Sequence, residues 1–199
     1  MNEQYFAQNP TSESRPVSCV FSYRGCELRF LTDSGVFSRG EVDYGTALLL
    51  NTLPDMRGEV LDLGCGWGAM GVAVAKKYPD THVVMSDVNE RALTLARRNL
   101  RENRVTADCV ASDGFAAVDG QFDAILFNPP IRAGKDVVYR LFSQAAAHLK
   151  EDGCLYIVIR KQQGADSALK FLKEHYEQAE IMERSAGYRV LRCMRGIRE

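Results

Sequence analysis

From Glu59 onward the chain alternates short apolar runs with longer amphipathic ones, and this alternation constrains the fold more than any other feature. EVLDLG, HVVMSD, ADCVAS, FDAILFN and CLYIVIR have the length and apolar character of buried strands. Between them, GAMGVAVAKKYP, NERALTLARRNLREN, KDVVYRLFSQAAAHLK and ADSALKFLKEHY carry apolar residues at helical spacing. Strands that are apolar on both faces need helices on both sides, so the pattern predicts an α/β fold with a doubly wound, mainly parallel sheet. The last two runs, around AEIMERS and YRVLRCM, are joined by a short Gly-containing link and are expected to close the sheet as an antiparallel hairpin.

Ahead of this region, residues 1–16 are polar and are expected to form a loosely ordered arm. VSCVFSYRGCELRFLT alternates apolar and polar residues on both sides of Arg24-Gly25, which predicts a β-hairpin. GVFSRGEVDYG follows as a loop, and TALLLNTLP reads as a short helix stopped by Pro54. The expected organisation is a single domain over 17–199, with the hairpin and helix in 17–57 and the core in 58–199. With 199 residues, 46% of them hydrophobic, the chain buries enough surface to need no staple.

A net charge of −1 and a pI near 6.3 exclude a globally basic nucleic-acid binder but leave room for a local basic patch. The six cysteines form no C-x-x-C pair, and His82, His148 and His175 lack ligand spacing, so no metal site is expected. No stretch approaches the ~18 apolar residues of a membrane span, and the N-terminus has no apolar signal core, which suggests a cytoplasmic protein. The five arginines of NERALTLARRNLREN read as a solubilising face.

Two junctions carry the chemistry. In VLDLGCGWGAMG, glycines lie between a strand and a helix, where backbone amides approach a ligand and the helix N-terminus faces it. Gly66 to Gly71 matches G-x-G-x-x-G, and Asp87 lies near the position of a ribose-binding acid, so a nicotinamide dinucleotide site must be weighed. Two details oppose it. The turn opens at Gly64, ahead of that match, and the strand carries Asp62, whose carboxylate suits an ammonium better than a pyrophosphate. The second junction is FNPPIRAGK: Asn128-Pro129-Pro130 must end its strand in a stiff, extended turn, because proline offers no N–H to a sheet ladder.

The order of these segments, with GVFSRG, DYGTALLL, LDLGCGWG, FNPPIRAGK and GYRVL, resembles the class I S-adenosylmethionine-dependent methyltransferases. More narrowly it is similar to the "methyltransferase small domain" family, which includes ribosomal RNA guanine-N2 methyltransferases. The resemblance runs from about Phe21 to the C-terminal region and implies a Rossmann-like methyltransferase fold with S-adenosyl-L-methionine as cofactor. It puts the methionine part of the cofactor on Asp62, Gly64, Cys65 and Gly66, with Gly68 in the same loop. Asp87 and Val88 fall on the ribose, Asp113 in SDG beside the adenine, and Asn128 against both cofactor and substrate.

In an open parallel sheet, ligands bind at the carboxyl ends of the strands, which sets the NPP turn against the cofactor. The Asn128 side-chain carbonyl and the Pro129 backbone carbonyl can each accept an N–H from a planar amine, aiming its lone pair at the methyl, while Pro129 and Pro130 keep competing donors away. Guanine N2, adenine N6 and a glutamine amide all suit this geometry. Ile131 follows the prolines where many adenine and glutamine enzymes have an aromatic residue, so guanine N2 of 16S-type ribosomal RNA is the expected acceptor. Arg132, Lys135, Arg160 and Lys161 are expected on one rim as phosphate contacts, with Phe37 covering the cofactor or stacking on the base. A non-catalytic RNA-binding module and an NAD-dependent oxidoreductase are the rival classes. The family's larger ribosomal RNA enzymes carry a second, cofactor-free copy of the domain ahead of the catalytic one. The length here leaves room for one copy, so a homodimer or a preformed ribosomal surface would have to compensate.

Overall fold

The computed structural model describes residues 13–195. The expected loose arm therefore lies outside the described residues over 1–12, while its last part is tied down: Ser14 Oγ and the Arg15 N–H both donate to the Asp33 carboxylate. Strands β1 (Val17–Tyr23) and β2 (Cys26–Thr32) pair antiparallel as a separate two-stranded sheet. Their turn has positive φ at both Arg24 and Gly25, 45° and 83°, the twist that a two-residue hairpin requires. Helix α1 (Tyr44–Thr52) follows, capped by Asp43 and ended ahead of Pro54.

The remaining elements are β3 (Gly58–Leu63), α2 (Ala69–Lys77), β4 (Thr81–Asp87), α3 (Glu90–Asn103), β5 (Asp108–Ala111), β6 (Phe122–Phe127), α4 (Lys135–Ala147), β7 (Leu149–Arg160), α5 (Ala165–His175), β8 (Gln178–Ser185) and β9 (Tyr188–Met194). They build a seven-stranded sheet in the order β5-β4-β3-β6-β7-β9-β8. The first five strands run parallel and β9 pairs antiparallel with both β7 and β8. The closing hairpin is thus inserted with its second strand inward. The fully buried Val190, Leu191 and Cys193 of β9 make it the interior strand, whereas β8 carries the charges Glu180, Glu183 and Arg184 along the edge.

Alternate residues of each central strand feed two cores. Val60, Ala124, Leu126, Tyr156 and Val158 pack under α1, α2, α3 and the N-terminal hairpin, while Leu61, Ile125, Phe127, Leu155 and Ile157 pack under α4 and α5. Two asparagines on one face of α3 join the hairpin to this body. Asn99 accepts from the Leu31 N–H at 2.7 Å and donates to the Leu31 and Trp67 carbonyls at 3.0 and 2.8 Å. Asn103 repeats the pattern with both backbone groups of Arg29, at 3.0 and 2.8 Å. Buried asparagine is a poor helix former, and here its amide serves as a strand edge for β2. Among the described residues no helix is long and apolar enough to cross a membrane, and no cluster of three His, Cys, Asp or Glu could hold a metal ion.

The order of strand addition reverses at β3: the chain steps outward from β3 through β4 to β5, then returns to place β6, still parallel, on the other side of β3. That switch point opens a crevice at the carboxyl ends of β3 and β6, where the glycine loop and the NPP turn both begin.

Candidate active site

A cavity of about 810 Å³ fills this crevice. Its wall gathers Gly64, Cys65 and Gly66 after β3, Asp87 and Val88 after β4, Asp113 after β5 and Asn128 to Arg132 after β6. Phe37 and Arg160 join them from the loop before α1 and the end of β7. Residues as distant in sequence as Gly64 and Arg160 converge because every parallel strand delivers its carboxyl end to the same rim.

Two carboxylates, Asp62 in β3 and Asp87 at the end of β4, brace the glycine loop and the helix after it. Helix α2 starts at Gly68, which offers no capping side chain, and the orphaned N–H of Gly71 instead donates to Asp62 Oδ2 at 2.7 Å. Asp62 is fully buried, and its other oxygen, Oδ1, has no partner among the described residues. Burial, with a contribution from Asp87, pushes its carboxyl up to about 7 despite the Gly71 bond. Asp87 Oδ2 accepts from Gly66 N–H at 2.7 Å and Oδ1 from Asn89 N–H at 2.8 Å, and burial raises its carboxyl above the usual range as well. Burial also drives the Cys65 thiol far up, so it sits in the wall as a neutral group.

A loop over residues 33–43 closes the other side of the cavity, held by its carbonyls. Trp67 Nε1 donates to Phe37 O at 2.7 Å, Asn89 Nδ2 to Gly35 O at 3.0 Å and an Arg91 guanidinium nitrogen to Ser34 O at 3.0 Å. Phe37 is 39% exposed and lines the cavity.

The NPP turn is rigid and mostly acceptor. Pro130 leads into a single 3₁₀ turn, Ile131–Ala133, and the Ile131 N–H donates to Pro129 O at 2.9 Å. Donors are therefore kept away at positions 129 and 130 only, and one of the two lone pairs of the Pro129 carbonyl is already engaged. Asn128 Nδ2 points to Thr46 Oγ1 at 3.1 Å and to Asp43 Oδ2 at 3.5 Å.

Four of the expected site residues are not on the wall. Asp62 lies behind it as the brace described. Gly68 is consumed as the left-handed start of α2, with φ of 90°. Lys135 opens α4 with its ammonium 4.9 Å from the centre of the Tyr139 ring, and the Lys161 N–H is bonded to Gly187 O. The cationic rim therefore consists of Arg132, Arg160 and Arg140. Arg160 lies 4.7 Å over the ring of Tyr188, and Arg140 pairs with Asp113 at 3.2 Å.

Asp43, Thr46, Trp67, Arg140 and Tyr188 line the cavity, and no role follows for them from the sequence, although all but Arg140 fall in the motifs DYGTALLL, LDLGCGWG and GYRVL. The capping position of Asp43 before an apolar run was a legible signal; Arg140 looked like any cation on an amphipathic helix.

The chain is similar to known proteins in sequence and in fold. An uncharacterized protein of Bacillus subtilis, YbxB, is 40% identical over 198 residues, covering 97% of this chain and 98% of its own. The ribosomal RNA small subunit methyltransferase C of Haemophilus influenzae is 38% identical over 164 residues, covering 78% of this chain and 48% of its own, so the chain spans about half the length of that relative. In three dimensions the 16S rRNA N2 methyltransferase RsmC of T. thermophilus, solved with AdoMet and guanosine, superposes with a TM-score of 0.82 at 28% identity over 91% of this chain and 51% of that one. The model of the methyltransferase small domain matches residues 27–192, and the chain belongs to that family.

Proposed function

We propose that the protein transfers a methyl group from S-adenosylmethionine to an exocyclic amine of RNA, with guanine N2 of small-subunit ribosomal RNA as the acceptor. The observation that carries this reading is the meeting of the braced glycine loop and the Asn128 turn on one cavity wall. The residues fit the cofactor. A Cβ added at Gly66 would meet no atom within 4 Å and would project into open space, as expected of a backbone reserved for a ligand. The cavity volume also falls within the ~300–1,000 Å³ of small-molecule and cofactor sites.

Gly64, Cys65 and Gly66 would hold the methionine end, Asp87 and Val88 the ribose, and Asp113 the adenine. Bound there, S-adenosylmethionine supplies an electrophilic methyl on a sulfonium. The chain's own task is to present the amine. Asn128 Oδ1 and the free lone pair of Pro129 O accept its two N–H groups, draw the nitrogen toward a pyramidal shape and aim its lone pair along the line of transfer. The methylated nitrogen is briefly cationic and strongly acidic, so water removes its proton.

Ile131 offers a flat aliphatic contact to the base where an aromatic residue would stack, and the RsmC structure that resembles this chain contains guanosine. Arg132 and Arg160 at the rim suit the phosphates of an unpaired nucleotide.

The test is incubation of purified ribosomal subunits and total RNA with methyl-labelled cofactor, followed by digestion to nucleosides. Label in N2-methylguanosine of the small-subunit RNA is expected. Label confined to N6-methyladenosine or to protein glutamine would move the acceptor, and absence of transfer to any of these substrates would refute the reading.

A further inference from the structure

Asn128 can serve as an acceptor only if its amide faces the cavity oxygen-first, and the amide group alone has no preference between its two ends. The structure contains a device that sets this choice. Asp43 is the N-cap of α1, and its Oδ1 accepts from the N–H groups of Gly45 and Thr46 at 3.0 and 3.2 Å. Its second oxygen is thereby directed at Asn128, 3.5 Å from Nδ2, and the Thr46 hydroxyl lies 3.1 Å from the same nitrogen. All three residues line the cavity.

The two contacts differ in what they enforce. A hydroxyl can donate or accept, so Thr46 would satisfy either orientation of the amide. A carboxylate only accepts. Turning Asn128 over would set Oδ1 against Oδ2 of Asp43, oxygen against oxygen, in a partly buried wall. The 3.5 Å contact is long for a hydrogen bond, yet its polarity has a single solution.

We propose that Asp43 is a positioning residue for methyl transfer: from the cap of α1 it fixes the Asn128 amide so that nitrogen faces the wall and Oδ1 faces the substrate amine. The inference rests on the function proposed above, because it matters only if Asn128 receives an amine. The cap that starts α1 is the element that orients Asn128.

Asp43→Asn is the informative change. Asparagine caps a helix as well as aspartate does, so α1 is retained. The Nδ2 of the new side chain would replace Oδ2, turn Asn128 to present its oxygen to the wall, and leave an N–H donor facing the donors of the amine. The single-turnover rate at saturating RNA and cofactor should fall about 100-fold, in the range for loss of one transition-state hydrogen-bonding group. KM for RNA, cofactor affinity and thermal midpoint should stay near wild type. The double swap Asp43→Asn with Asn128→Asp restores a donor on the wall side and an acceptor on the cavity side, and should recover at least about tenfold over Asp43→Asn. If Asp43→Asn folds poorly, Asp43→Ser caps the helix without reaching Asn128, and its rate should fall about tenfold.

A readout independent of catalysis separates this inference from the reading beneath it. The side-chain amide protons of Asn128, assigned by their disappearance in Asn128→Asp, should be protected from exchange in the wild type and lose that protection in Asp43→Asn. Wild-type protein that methylates no RNA would sink the proposed function. Unchanged amide protection in Asp43→Asn, a wild-type rate in that variant, or a double swap no faster than it would overturn the role of Asp43.

Discussion

Asp62 makes a quantitative claim about stability. Its carboxyl is fully buried, bonded through one oxygen to the Gly71 N–H and through the other to no partner among the described residues, and is pushed up to about 7 chiefly by that burial. A free aspartate titrates near ~3.9, so between about pH 4 and pH 7 the folded protein holds a proton that the unfolded chain has released. Stability conferred by that proton is complete below about pH 4, drains away as pH rises toward 7, and is gone above it. At ~1.4 kcal/mol per pH unit the full effect is about 4 kcal/mol, an upper value because water and relaxation soften a buried charge. Asp62→Asn retains an acceptor for Gly71 and cannot ionise. Urea unfolding of both proteins at pH 5, 6, 7 and 8 tests this residue, since titrating groups other than the neighbours coupled to it, Asp87 and Cys65, cancel in the difference. The variant should be the more stable protein at pH 8 by about 2–4 kcal/mol, and the advantage should shrink steadily toward pH 5. A difference that does not vary with pH would show that Asp62 is ionised throughout and that its burial is not felt as argued.

Asn99→Ala removes the partner of three backbone groups at Leu31 and Trp67 and should cost about 2–4 kcal/mol in urea unfolding; a loss below ~1 kcal/mol would mean water replaces the amide. Asn128→Ala should lower single-turnover methyl transfer roughly 100 to 1,000-fold with cofactor affinity nearly unchanged, and a near wild-type rate would reduce Asn128 to a strand terminator. Arg132→Ala with Arg160→Ala should weaken binding of single-stranded RNA and lower the slope of log affinity against log salt by about 1.4, two phosphates at ~0.7 each; an unchanged slope would make both arginines ordinary surface charges.

The sheet was legible because its central strands are apolar on both faces and bounded by punctuation that has one physical meaning: Gly64 where the chain must turn, Pro129 where the ladder must stop. The N-terminal hairpin was equally plain, since Arg24-Gly25 supplies two left-handed residues between alternating runs. The attachment of that hairpin was not. Asn99 and Asn103 sit among arginines in NERALTLARRNLREN and read as part of a solvated face, yet they are buried and act as a strand edge. Hydrophobic periodicity does not register a polar side chain that is buried because it imitates backbone.

The same blindness governed the site. A carboxylate at the end of a strand suits a ligand's ammonium or ribose, and it equally suits an orphaned N–H at the start of the next helix, so residue type alone does not show that Asp62 and Asp87 also serve as braces. The accounting that separates these roles is available from sequence in principle. Helix α2 begins in Gly-Trp-Gly-Ala-Met-Gly with no Ser, Thr, Asp or Asn to cap it, so its first N–H groups must find an acceptor elsewhere, and the nearest carboxylate on the preceding strand is Asp62. Helix α1 shows the complementary case: Asp43 sits where a cap is expected, and a cap needs only one of its two oxygens. The second oxygen is free to act on a residue far away in the chain, and Asn128, 85 positions on, is the residue it meets.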